Sequence, residues 1–205
     1  MSDRYVPYAA LTATQEARMR EIYAASFPEA LSAPFDDLLV DRMLGFVSGA
    51  HDAPLLGLAL VRDFGDAGLG SGWTFLRYFA AGTRGDGVGS RMFTWLCDLL
   101  RSEGRSVLAW DVEDPDEPGI AAAEADLDRR RIGFYERNGG VLLPVHHYRP
   151  PHEDGHAPHL RLMASDLTGA GLPPTREVVL GVLEQRYGCG ADHPAVREAL
   201  ASIPI

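Results

Sequence analysis

The chain has 205 residues, 46% hydrophobic and 23% charged, enough apolar sequence for one globular domain with a sizeable core, or a domain plus an appendage. Its formal charge of −10 argues against general nucleic-acid binding, which needs a basic surface, and no apolar run approaches the roughly 18 residues of a membrane span. All 19 basic residues are arginine, which excludes a Walker A loop, a pyridoxal Schiff base and a protein-kinase strand lysine.

Tyr5–Leu11 reads as a first strand, and Thr14 as the cap of a helix with Met19, Ile22, Tyr23 and Phe27 at its apolar positions. Pro28 and Pro34 interrupt the pattern. A second helical stretch covers about Asp36–Leu44, and Gly45–Ala50 with Leu55–Asp63 read as a hairpin around His51-Asp52-Ala53-Pro54. A glycine-rich turn over 65–72 leads to a strand at Trp73–Ala81. The helix pattern Val88–Glu103 carries Val88, Met92, Trp95, Leu96, Leu99 and Leu100 on one stripe, and Gly104 stops it. Ser106–Glu113 returns as a strand, with Leu108, Trp110 and Val112 on one face and Val107, Ala109, Asp111 and Glu113 on the other. An acidic loop, Asp114–Pro118, precedes a helix over about Glu124–Arg137, closed by Asn138-Gly139-Gly140. Strands near Val141–Val145 and His159–Ala164 flank a loop rich in proline and histidine. Two helical patterns follow, Thr175–Tyr187 and His193–Ala201. The class is α/β or α+β with a mixed sheet.

The most informative segment is Arg84-Gly85-Asp86-Gly87-Val88-Gly89, set between the strand at Trp73–Ala81 and the helix that begins at Val88. Glycine at every second position leaves backbone N–H groups free to converge and permits φ > 0. A helix start adds roughly +0.5 charge from the aligned peptide dipoles. Strand, turn and helix N-terminus together make a phosphate cradle, and Arg84 offers a permanently charged fork beside it. The competing reading is a plain glycine-rich surface turn. A dinucleotide-binding fingerprint fits poorly, because Ser90 takes the place of its last glycine and no strand-end acid follows at the expected distance.

The hexad and a second motif, Arg131-Ile132-Gly133-Phe134-Tyr135-Glu136-Arg137-Asn138-Gly139-Gly140, resemble the GNAT superfamily of N-acetyltransferases. Arg84, Gly87 and Gly89 fill that family's first motif. Phe134, Tyr135 and Gly139 match its second, while Gly140 stands where an aromatic or apolar residue is usual. The resemblance covers about residues 5–167. It implies a GNAT-like α/β (α+β) domain over 1–167, with a mixed, mostly antiparallel twisted sheet flanked by helices. Residues 168–205 would form a C-terminal helical extension packed on it.

The resemblance further implies direct transfer of the acetyl group of acetyl-CoA to an amine, without a metal. Backbone groups of Phe79, Ala80 and Ala81 would bond to the pantetheine arm. Arg84 and the amides of Gly85, Asp86, Gly87, Val88, Gly89 and Ser90 would hold the pyrophosphate. Tyr135 aligns with the usual general acid, its alternative being core packing. For the base, Glu113 is preferred, directly or through a water, with Asp111 its neighbour or a substrate anchor. Two close carboxylates push one pKa upward, and the alternative for both is a solvated strand end. The acidic stretch Asp111–Glu117 suits a cationic amine, either a small molecule or a peptide. Aminoglycoside, polyamine, amino acid and protein N-terminus all stay open, as does a homodimer. The rival class is a catalytically silent acyl-CoA-binding sensor or protein-interaction domain of the same fold.

The remaining signals are weaker. His146, His147, His152, His156 and His159 lack a recognisable ligand spacing and read as a surface loop. Arg129–Arg131 reads as a solvated helix face, because three consecutive residues cannot all face one way on a helix. Cys97 and Cys189 are too few for a disulfide or zinc framework, and 1–6 lacks a signal pattern. The expected setting is therefore cytoplasmic, with no nucleic acid and no membrane.

Overall fold

The computed structural model describes residues 3–27, 33–50, 52–83, 85–151 and 158–204. Its strands are β1 (Asp3–Pro7), β2 (Arg42–Ser48), β3 (Leu55–Asp63), β4 (Trp73–Ala81), β5 (Val107–Glu113), β6 (Val141–Leu142) and β7 (Leu160–Asp166). The helices are α1 (Ala13–Ser26), α2 (Val88–Ser102), α3 (Ala122–Arg137), α4 (Thr175–Tyr187) and α5 (Pro194–Ala201). The strands form one sheet in the order β1-β2-β3-β4-β5-β7-β6. β4 and β5 are parallel, whereas β1–β2, β2–β3, β5–β7 and β6–β7 are antiparallel. This is the mixed, mostly antiparallel α/β sheet expected. The chain divides into two compact units, Met1–Asp63 with Leu76–Glu103, and Phe64–Phe75 with Gly104–Ile205.

In the first unit the helix cap is Thr12, not Thr14. Thr12 Oγ1 accepts from the Gln15 amide at 3.3 Å, and Gln15 Oε1 accepts from the Thr12 amide at 3.0 Å. This capping box needs Gln or Glu three residues on, and Thr14 has Ala17 there. α1 buries Met19, Ile22 and Tyr23 against Met43, Leu58 and Leu60. The first strand stops at Pro7, where a 3₁₀ turn at Tyr8–Ala10 takes over.

The helix expected over Asp36–Leu44 is instead a 3₁₀ turn, Phe35–Val40, followed by β2. β2 pairs on both edges and is buried from Met43 to Val47. A strand so enclosed loses its polar/apolar alternation and imitates a helix in sequence. The hairpin with β3 forms as expected, with His51 outside the described residues. On α2 the buried stripe is Val88, Met92, Phe93, Leu96 and Leu100. Leu99 is half-buried and Trp95 lies 39% exposed, so Phe93 takes the core place assigned to Trp95.

The second unit covers β5 on both faces. Val107 and Ala109 join Phe75, Leu162 and Ala164 in a core completed by Val178, Val179 and Val182 of α4 and by Val196 and Ala199 of α5. Trp110, on the opposite face, packs against Tyr135 of α3 with ring centroids 4.8 Å apart. β6 is only two residues long, because Pro144 has no N–H to continue the ladder.

Candidate functional site

The glycine-rich loop of the first unit has three successive left-handed residues, Gly85 (φ 91°), Asp86 (φ 52°) and Gly87 (φ 66°). Gly87 is the N-cap of α2, whose first bond runs from Arg91 N to Gly87 O at 3.0 Å. The loop leads directly into the helix start, whose first amides have no partner within the helix. A Cβ on Gly85 or Gly87 would meet nothing within 4 Å, so that side is open. The loop suits an anion: it opens a helix whose dipole adds positive potential, and α2 has no acidic residue in its first turn.

Two features brace the loop. Arg91 Nη1 donates to Asp86 O at 2.8 Å while its Nε pairs with Asp3 at the same distance. Before the loop, Gly82 N donates to Leu56 O at 2.7 Å. A Cβ on Gly82 would stand 2.6 Å from Ile22 Cδ1, so a larger residue there would have to displace the Ile22 side chain of α1. Sequence reasoning named neither Arg91 nor Gly82. Arg84 lies outside the described residues. Phe79 packs edge-on to Phe93 at 5.9 Å, and Ala80 is buried. Val88 is in the core, while Gly89 and Ser90 are half-buried.

In the second unit Tyr135 is 7% exposed, its ring between Trp110 and Phe134. Burial pushes its phenol well above the ordinary value, against the opposing charge of Arg131, so the hydroxyl keeps its proton at neutral pH. Glu113 is exposed and ion-paired with Arg131, which also reaches Asp128 Oδ1 at 3.4 Å. Arg129 pairs with Asp116 and Asp126 on the surface.

Asp111 has the contrasting environment. Its Oδ2 accepts from the Tyr187 hydroxyl at the end of α4, while Oδ1 is buried without a hydrogen bond. The Tyr148 hydroxyl lies close by, also buried and without a hydrogen bond of good geometry. Burial pushes the Asp111 carboxyl up to about 6, against the Tyr187 and Tyr148 hydroxyls and the Arg186 charge, which favour ionisation. The rise comes from burial and not from a neighbouring carboxylate, the cause expected from sequence. Tyr148, Arg186 and Tyr187 carried no sequence signal toward Asp111, because 76 residues separate Tyr187 from it.

Among the described residues no group of three or more His, Cys, Asp and Glu side chains is arranged to hold a metal. His146 and His147 are exposed, with their amides on Ser202 Oγ, and His152 and His156 lie outside the described residues. Also among the described residues, no helix is long and apolar enough to cross a membrane.

No protein-family model matches the chain, and no curated protein does. Solved structures do match. A GNAT-family acetyltransferase from Bacteroides thetaiotaomicron is 22% identical, with TM-score 0.62, covering 91% of this chain and 99% of its own. An aminoglycoside 6'-N-acetyltransferase, solved with coenzyme A, is 14% identical, with TM-score 0.57, covering 85% and 100%. A GNAT family acetyltransferase from Elizabethkingia anophelis, with acetyl-CoA bound, is 11% identical, with TM-score 0.52, covering 80% and 97%. The chain has the GNAT fold.

Proposed function

We propose that the protein is an acetyl-CoA-dependent N-acetyltransferase whose acceptor is a cationic amine. The observation that carries this reading is the run of left-handed residues Gly85–Gly87 opening α2, a backbone anion cradle within a fold shared with acetyltransferases. A pyrophosphate would sit on the amides of Gly85–Ser90, with Arg84 beside it, and a pantetheine arm would take backbone bonds from Phe79–Ala81. A backbone N–H on the thioester oxygen polarises the carbonyl; one such donor is worth ~10²–10³ in rate in other enzymes.

The amine nitrogen adds to the thioester carbonyl, the C–N bond forms and the C–S bond breaks. The nitrogen's proton goes to the carboxylate end of β5, Glu113 or Asp111. The departing thiolate is protonated by Tyr135, whose raised pKa keeps it in the acid form. A formal charge of −10 favours the approach of a cation.

A catalytically silent acyl-CoA-binding module is the second reading. It is favoured by the ion pair that occupies Glu113 and by the burial of Tyr135. Calorimetry with acetyl-CoA and a thiol-detecting screen of amines separate the two. Binding with release of free CoA on addition of an amine supports the transferase. Binding without release, across aminoglycosides, polyamines, amino acids and peptide N-termini, supports the silent module.

A further inference from the structure

The buried stripe of α3 is Ala125, Asp128, Ile132 and Tyr135, so a carboxylate stands two turns before the tyrosine that packs on Trp110. The Asp128 side chain is 5% exposed. Its Oδ1 accepts from Arg131 Nη1 at 3.4 Å, whereas Oδ2 is buried without a hydrogen bond. Arg131 is itself shared with Glu113. Burial pushes the Asp128 carboxyl up, and the charges of Glu124, Asp114 and Glu117 push it the same way.

These acids meet at the end of β5, all of them in the second unit. Asp114 N donates to His159 O at 3.2 Å, so the pairing of β5 with β7 runs on past Glu113. A turn closed by Glu117 N on Asp114 O at 3.1 Å follows, and Glu124 lies one helical turn before Asp128. Asp114 is buried too. Its Oδ1 accepts from the Asp116 amide at 3.1 Å, and Arg161 Nη1 stays 3.8 Å away, beyond hydrogen-bond distance. Among the described residues neither Glu117 nor Glu124 forms an ion pair.

An acidic surface left to water needs no partner, but a buried carboxylate oxygen does, because nothing else replaces its lost hydration. The partner that suits Asp128 Oδ2, with like charges on three sides, is a cationic donor. A metal ion would need its ligands to close to about 2–2.6 Å of one point. Among the described residues no three His, Cys, Asp or Glu side chains are arranged to do so. A cation whose charges are spread along a chain meets the same acids without their converging. An alkylammonium group is also slender enough to reach a side chain so little exposed.

We propose that Asp128, with Asp114, Glu117 and Glu124, binds a linear polyamine, one ammonium group donating to Asp128 Oδ2 and the others lying against the remaining carboxylates. The site goes beyond the N-acetyltransferase reading and does not rest on it, since the binding calls for no acetyl-CoA.

The test is calorimetry with spermidine at low salt, without acetyl-CoA, on the wild type, Asp128→Asn and Glu117→Gln/Glu124→Gln. As controls, Asp98→Asn and Asp52→Asn/Asp98→Asn remove the same numbers of charges from exposed positions of the first unit. Asp128→Asn should weaken binding about 10-fold or more, the loss expected for one charge-assisted hydrogen bond. The Gln double variant leaves the buried side chain intact and should also weaken binding, which covers poor folding of Asp128→Asn. Each control should lose much less than its counterpart. Butylamine, with its single charge, should bind far more weakly than spermidine, and equimolar magnesium should not displace spermidine. Losses no greater than those of the controls would mean that spermidine senses only the overall charge of −10, and would overturn the site. The site is equally overturned by a wild type that binds no spermidine, or by displacement with magnesium. All of these outcomes leave the transferase standing, because that reading is tested by acetyl-CoA binding and thiol release.

Discussion

A Cβ placed on Gly140 would stand 2.8 Å from Trp110 Cζ2 and 3.0 Å from the carbonyl oxygen of Tyr135. The glycine that departs from the second GNAT-like motif therefore has a local cause. The indole of β5 fills the space beside the end of α3, where it also packs on the Tyr135 ring. A side chain at 140 and an indole at 110 exclude one another.

Gly140→Ala should accordingly destabilise the fold by about 1–3 kcal/mol, the usual range for overpacking a dense core. Trp110→Phe removes the atoms that clash. In the Trp110→Phe background the alanine should cost markedly less, so the two changes should be non-additive in a urea-denaturation cycle. Strict additivity would mean that the indole does not set the requirement for glycine.

Gly87→Val places a β-branched residue at φ 66°, a conformation L-residues avoid by roughly 1–2 kcal/mol. No neighbouring atom obstructs the new side chain, so the strain is confined to the backbone of the loop. A folded variant with modestly lower stability and no measurable acetyl-CoA binding in calorimetry is the expected result. Retention of wild-type affinity would remove the cradle from the argument.

What the sequence disclosed follows from the range of each signal. β4 and α4 run over the predicted spans Trp73–Ala81 and Thr175–Tyr187 because turn-forming residues bound both. The left-handed loop was legible because glycine alone tolerates most of its dihedrals, although Asp86 shares them. Only the start of β2 was not legible: Arg42–Leu44 were read as the end of a helix, since burial on both faces erased their alternation, whereas the hairpin arm from Gly45 was read correctly. The cap at Thr12 was available in the Thr-x-x-Gln spacing. The contacts around Asp111 were not: Tyr148 and Tyr187 reach it only through folding, and no local pattern links residues 76 apart. A strand-end pair of acids was visible; which of them is buried depends on α4.

Tyr135→Phe keeps the ring that packs on Trp110 and Phe134 and removes the hydroxyl alone. If that hydroxyl protonates the departing thiolate, kcat should fall about 100-fold, the low end for a general acid, with the melting temperature little changed. Normal turnover per folded molecule, with a large loss of stability, would return the residue to the core.

Two buried carboxylates should give the stability–pH curve opposing contributions. Burial raises the pKa of Asp41, but hydrogen bonds from Arg62 and Arg77 outweigh it and hold the carboxyl below its usual value of 3.8. Its stabilisation is present above that value and is lost as pH falls further. Asp111 is shifted the other way, from 3.8 to about 6. Its folded state binds the proton more tightly than the unfolded chain does, so its contribution is complete below pH 3.8 and is lost as pH rises through about 6. A shift of that size corresponds to roughly 2–3 kcal/mol over the window. Asp111→Asn should therefore flatten the pH dependence of unfolding free energy between about pH 4 and 6, leaving the acid-side loss that belongs to Asp41. Arg77→Met, which removes one of the two guanidinium partners of Asp41, should shrink that acid-side loss instead. Parallel urea titrations of the three proteins at pH 3, 4, 5, 6 and 7 would read both effects. An unchanged slope between pH 4 and 6 in Asp111→Asn would mean that Asp111 titrates as an ordinary exposed acid.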